Sequence, residues 1–146
     1  MIWIVIVFIL IVIVIFLFKA NKETLELSKV PFNEKYSVLL NDLNNSLFSG
    51  EGKYKNKDIR EHYLIGNSYS KRAYIQFIYR KNSLYLTYHQ IDIIGKEESF
   101  FYPYLGTKYI SDEEQRHMAF DFYDKVTDNI ADLAMRKARP EKPIIE

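Results

Sequence analysis

The chain has 146 residues, no cysteine and a formal net charge of +1. That length suits one domain plus at most one extra element. The balanced charge argues against a dedicated nucleic-acid binder. The absent thiols exclude a disulfide scaffold, a thiol nucleophile and a cysteine-based metal site. Glycine and proline are scarce (5 and 4), which leaves little room for long disordered linkers.

Mean hydropathy is −0.21, but the average hides two solvents. Ile2–Phe18 reads IWIVIVFILIVIVIFLF, without one charged or small residue. Removing it leaves a remainder averaging roughly −0.7, typical of a polar soluble domain. As a helix the run covers roughly 25 Å, the short end of a bilayer span. In water so many β-branched residues favour a strand and aggregation. In hydrocarbon the backbone must satisfy its own hydrogen bonds, so a helix is expected. Trp3 and Phe18 bracket the run, and Lys19 follows to snorkel at the far interface.

A cleaved signal peptide needs a basic leader and a small-x-small cleavage site, and only Ala20 is small nearby. Residues 1–19 therefore read as an uncleaved single-pass anchor. Without small residues or an internal charge, the segment suits neither close helix pairing nor an ion path. Lys19, Lys22 and Lys29 follow the span and no basic side chain precedes it. The positive-inside rule then places the C-terminal domain in the cytoplasm.

Residues 20–32 read as a juxtamembrane linker that extends the helix until Pro31 interrupts it. Asn33–Ser49 follows as an amphipathic helix, with Asn33 as its cap and Tyr36, Leu39, Leu40, Leu43 and Leu47 on one face. Gly50 is its stop. From Glu51 the period changes to two. Lys53, Lys55 and Lys57 alternate with Tyr54 and Asn56 in a first short strand. Glu61–Ile65 reads as a second, closed by a turn over Gly66–Ser70. Ala73–Arg80 places Ile75, Phe77 and Tyr79 on one face. A Lys81-Asn82-Ser83 turn leads into Leu84–Ile94, with Leu84, Leu86 and Tyr88 on one face and Tyr85, Thr87 and His89 on the other. After Gly95-Lys96-Glu97 comes an aromatic strand, Ser99–Leu105, whose Pro103 marks a sheet edge. Short turns between consecutive strands predict an antiparallel meander.

Ser111-Asp112-Glu113-Glu114 is a capping box opening a long helix. Ala119, Phe122, Val126, Ile130 and Leu133 form its apolar stripe, and Pro140 ends it before a flexible tail over 140–146. The expected fold class is α+β. An N-terminal transmembrane helix precedes a helix–meander–helix domain over 33–139, with both helices on one face of the sheet.

Catalytic chemistry finds little footing. Glu114, His117, Asp121, Asp124, Asp128 and Asp132 recur at helical spacing opposite the apolar stripe, which is the pattern of a solvated face. Glu114-x-x-His117 matches half of a di-iron motif, but the short helix offers no matching set of carboxylates. His62, His89 and His117 form no HExxH and share no metal spacing. No serine sits in a GxSxG elbow, and Gly50-Glu51-Gly52 follows a helix rather than a strand. No catalytic residue, cofactor or metal site is assigned. Lys53, Lys55, Lys57, Arg60, Lys71 and Arg72, interleaved with Tyr54, Tyr63, Tyr69 and Tyr74, read as edge-strand lysines and neighbours that block aggregation, with contact to lipid headgroups as a lesser reading and stacking of single-stranded bases as the least.

The aromatic stretch is the strongest candidate for binding. Phe100, Phe101, Tyr102 and Tyr104, with Tyr109, place aromatics on both faces of one strand. A single helical layer covers only one face, so either Phe101 is exposed or Phe120 reaches round to cover it. Exposed Tyr and Phe mark protein interfaces. The expected function is a membrane-tethered, non-enzymatic domain that binds a protein, with the bilayer as its second partner and no nucleic acid. Two alternatives stand beside it: a small anchored enzyme using His89, His117 and the acidic helix, and an immunity or secretion-accessory protein.

Overall fold

The computed structural model describes residues 2–67, 72–91 and 94–138, the side chains of residues 2 and 19–28 excepted. The 68–70 part of the Gly66–Ser70 turn, Lys71, Lys19 as a side chain and the 140–146 tail lie outside the described residues.

Helix α1 runs from Ile2 to Lys29 without a break, so residues 20–29 of the linker expected over 20–32 are helical backbone. Its described side chains, Trp3 to Phe18, are all exposed, with Trp3 at 79 % and Phe18 at 77 %. Among the described residues no helix is long and apolar enough to cross a membrane. The anchor expected at 1–19 therefore rests on the sequence alone. Pro31 ends the entry segment by capping the next helix in extended geometry (φ −56°, ψ 144°).

The expected helix over Asn33–Ser49 is two helices. Helix α2 covers Phe32–Lys35 and α3 covers Ser37–Phe48, with Tyr36 between them at φ −111°, ψ 32°. The hydrogen bond that a continuous helix would make from Leu39 N to Lys35 O is opened by a side chain from the far end of the domain. Leu39 N–H donates to Gln115 Oε1 (3.1 Å), and Gln115 Nε2 donates to the Lys35 carbonyl (3.0 Å). An amide inserted into the ladder is an identifiable cause of a helix kink. The kink turns Tyr36 into the core, where it is fully buried and its hydroxyl donates to the Thr107 carbonyl (2.9 Å). Asn33 makes no cap. At the other end Ser49 and Gly50 both adopt positive φ, and Gly50 N–H returns to the Asn44 carbonyl (3.0 Å).

Five strands follow: β1 Lys53–Asn56, β2 Glu61–Asn67, β3 Arg72–Arg80, β4 Ser83–Ile91 and β5 Glu97–Leu105. They form one antiparallel sheet in sequence order, each pairing with its neighbour, as the meander predicts. Lys81 and Asn82, both at positive φ, make the two-residue β3–β4 turn. Strand β5 is an edge, in keeping with Pro103. A short 3-10 turn, Thr107–Tyr109, is held by Asn82, whose carbonyl accepts from Thr107 N (2.9 Å) and whose side chain accepts from Lys108 N (2.7 Å).

Helix α4, Asp112–Ala138, starts at the expected capping box. Ser111 N–H donates to Glu114 Oε2 (2.7 Å) and Glu114 N–H donates to Ser111 Oγ (3.2 Å). The two-layer α+β arrangement places α2, α3 and α4 on the inner face of the sheet. Phe77, Tyr79, Leu84 and Leu86 from the strands meet Tyr36, Leu39, Leu43, Phe122 and Val126 from the helices, each at most 2 % exposed. Gly66 lies under this layer because the Phe48 ring rests on it: a Cβ there would stand 2.0 Å from Phe48 Cδ1.

Candidate functional site

The pleat sends alternate residues to opposite faces. With every described helix of the domain on the inner face, the outer face is left open. It carries Tyr63 and Ile65 from β2, Tyr74, Gln76 and Ile78 from β3, Tyr85, Thr87 and His89 from β4, and Ser99, Phe101 and Leu105 from β5. Phe101 is 58 % exposed, Leu105 78 % and Ile65 40 %. Between these exposed residues, Tyr63, Tyr74, Gln76, Tyr85 and His89 are half-buried.

The aromatic rings organise one another across strands. Tyr63 and Tyr74 lie 6.0 Å apart, the His89 ring stacks on Tyr74 at 4.4 Å, and Tyr85 stacks on Phe101 at 5.9 Å. Such cross-strand contacts fix a surface before any partner arrives. Most charge lies toward the margins: Lys53 and Lys55 line the β1 edge, Arg72 and Arg80 stand at the two ends of β3, and Glu97 begins β5, while the Glu61 carboxylate reaches in from the start of β2 to Gln76.

Two polar clusters brace the face. Glu61 accepts from the Tyr63 hydroxyl, from Gln76 Nε2 (2.7 Å) and, through its second oxygen, from Lys57 Nζ (2.9 Å). Tyr63, Lys57 and Gln76 together hold its carboxyl down at about 2, well below the usual carboxylate range. On the opposite side of the face, His89 Nδ1 lies 2.7 Å from Glu97 Oε1 and 2.9 Å from Ser99 Oγ, and the Tyr74 hydroxyl donates to the same Glu97 oxygen (3.2 Å). Glu97 and Ser99 share one ring nitrogen, so the trio is not a nucleophile–base–orienter relay, which needs both nitrogens engaged.

The five aromatics of the candidate binding stretch do not share a surface. Phe100, Tyr102 and Tyr104 pack on the inner face against the core, Phe101 points outward, and Tyr109 stands 83 % exposed on the 3-10 turn. Tyr102 meets the Phe122 ring edge-on (5.5 Å), and Tyr104 donates to Asp121 Oδ2 (2.8 Å). Burial, then the Asp121 carboxylate, pushes the Tyr104 phenol far up. Phe120 does not reach round to Phe101; it is itself 68 % exposed on α4.

The three histidines are also separate. His89 lies on the outer face and His117 is exposed on α4, across the sheet from it. His62 is 4 % exposed on the inner face, stacked on Phe32 at 4.1 Å, with Tyr54 Oη 2.7 Å from Nδ1. Burial holds it below the ordinary histidine range. The acidic residues of α4 are spread along its length, and among the described residues no group of three or more His, Asp or Glu is placed to hold a metal. Between α3 and α4 runs a shallow groove of about 200 Å³ lined by Asp42, Asn45, Arg116, Phe120 and Tyr123.

The outer face was partly legible, since Tyr85, Thr87 and His89 alternate away from the core strand pattern. Tyr63 and Tyr74 stand out in the sequence only as rings interleaved with the basic patch, and strand pairing brings them onto this face. The architecture is thus an open-faced α+β two-layer domain with an exposed aromatic sheet surface. No protein-family model, curated protein or solved structure matches the chain.

Proposed function

We propose that this chain is a membrane-tethered, non-enzymatic interaction protein whose domain meets a protein partner across the outer face of the sheet. The observation that carries the reading is that face: rings already stacked on one another, neutral side chains along its central strand and most charges at the rim, the anatomy of a protein interface. Phe101 is the one aromatic side chain of Phe100–Tyr104 that joins this surface strongly exposed.

The tether is supported by the run Ile2–Phe18, which sits at the short end of a bilayer span. Snorkelling lysines and slight bilayer thinning accommodate a span of that length. The side chains of Trp3 to Phe18 take no part in the core. The lysines after the run support a cytoplasmic domain.

Two measurements test the reading in cells. Alkaline carbonate extraction is expected to leave the full chain in the membrane pellet; release into the supernatant refutes the tether. A photo-crosslinking amino acid at Phe101 is expected to give a discrete protein adduct, whereas one at Asp124 on α4 gives none. Absence of an adduct at Phe101 refutes the docking face.

A further inference from the structure

The outer face has the properties of one half of a two-fold interface, and we infer that its occupant is the same face of a second copy of this chain. The inference deepens the preceding reading and rests on it. Five strands spaced about 4.8 Å apart, with residues rising about 3.3 Å each, give a face of roughly 600–700 Å² once the short β1 is allowed for. Two such faces bury roughly 1,200–1,400 Å², within the range of a specific interface.

The charge pattern selects both the partner and the axis. A two-fold axis lying between the two sheets and running along the strands returns β3 onto β3. It lays β1 of each copy over β5 of the other. Tyr74, Gln76 and Ile78, uncharged and central, then meet their own counterparts. Lys53 and Lys55 come over the strand that carries Glu97, Ser99 and Phe101. In the sheet register Lys53 lies level with Ser99, one same-face step from Glu97, and Lys55 lies level with Phe101. Opposite charges on opposite edges are what this axis requires. Face-to-face sheets cross at about 30°, which carries the ends of β3 apart and delivers Arg72 and Arg80 to the solvated rim.

A nucleic-acid backbone or an acidic lipid surface laid on this face meets Glu61 and Glu97 as well as Lys53, Lys55, Arg72 and Arg80, whereas a second copy brings the two signs together across opposite edges.

The chain has no cysteine, so one introduced thiol reports on one position. Ile78→Cys sits on the central strand. In native membranes, a bismaleimide of about 10 Å span, matched to the spacing of packed sheets, is expected to convert it to a species of twice the chain mass. Asp124→Cys on α4 is expected to stay single. The detergent-solubilised full chain is expected to sediment as a pair. Phe101→Lys, at an exposed side chain level with Lys55 of the second copy, sets like charges against each other and is expected to weaken pairing at least tenfold with an unchanged circular dichroism spectrum.

Equal crosslinking at both thiols, or a solubilised chain that sediments singly at every concentration, overturns self-pairing. An adduct at Phe101 with the mass of a different protein overturns self-pairing and leaves the docking face standing. No adduct of any kind overturns both.

Discussion

Removing the Gln115 amide is the sharpest test of how the helical layer is built. Its side chain is buried at 3 % exposure and holds two backbone groups that the kink at Tyr36 separates, Leu39 N–H and the Lys35 carbonyl. In Gln115→Ala both groups lose their partner. They cannot simply bond to each other, because closing the ladder moves Tyr36 from φ −111°, ψ 32° to helical values. That motion withdraws its hydroxyl from Thr107 and its ring from the core. Two orphaned buried groups at about 1–3 kcal/mol each predict a loss of about 2–6 kcal/mol. In a domain of this size that lowers the melting temperature by roughly 8–24 °C. Gln115→Met fills the space without the amide and is expected to lose nearly as much, which separates hydrogen bonding from cavity formation. Gln115→Glu keeps the acceptor for Leu39 but turns an oxygen toward Lys35 O. Burial raises the pKa of such a carboxyl, so its extra deficit sets in above the unfolded pKa of about 4.3, is complete only above the raised folded value, and disappears as the medium is acidified. The assay is thermal and urea unfolding of the full chain in detergent. A loss below about 1 kcal/mol in both Ala and Met variants would show that the ladder closes by itself and refute the reasoning.

Gly66→Ala drives a Cβ to within 2.0 Å of Phe48 Cδ1, and overpacking of this kind costs about 1–3 kcal/mol. In a Phe48→Ala background the same substitution is expected to cost under about 0.5 kcal/mol. Equal cost in both backgrounds would locate the strain elsewhere. The lowered pKa of Glu61 carries a pH signature. Its folded value of about 2 lies below the ordinary 4.5, so its contribution is complete above about 4.5 and is lost as pH falls toward 2. Glu61→Gln is therefore expected to lose less stability than the parent between pH 5 and 2.5. Parallel acid-unfolding curves would remove Glu61 from the account.

Periodicity carried most of the fold because each local pattern agreed with the final packing. Ile75, Phe77 and Tyr79, then Leu84, Leu86 and Tyr88, alternate into the core as read, and the Ser111–Glu114 capping box closes as read. The kink at Tyr36 was illegible. The apolar period runs straight through it, and its cause lies 80 residues downstream in Gln115. His62 was missed for a similar reason, since the Phe32 ring that buries it comes from another layer. At the candidate site the alternation already puts aromatics on both faces of the strand, and the structure sorts them: Phe100, Tyr102 and Tyr104 inward, Phe101 outward. What the sequence leaves open is whether Phe120 covers Phe101, because that depends on how α4 lies on the sheet.

The meander also sets an order of events while the chain is made. Each strand pairs only with its neighbour in sequence, so the sheet can assemble from local contacts as it leaves the ribosome. Helix α4, which brings Met118, Ala119, Phe122 and Val126 to the core, emerges last. Until it docks, the sheet shows apolar rows on both sides, its inner row shielded by α2 and α3 alone. A chain halted before Asp112 is therefore a sticky, two-faced ribbon. Arrival of the final helix is the step that turns it into a particle with one open side.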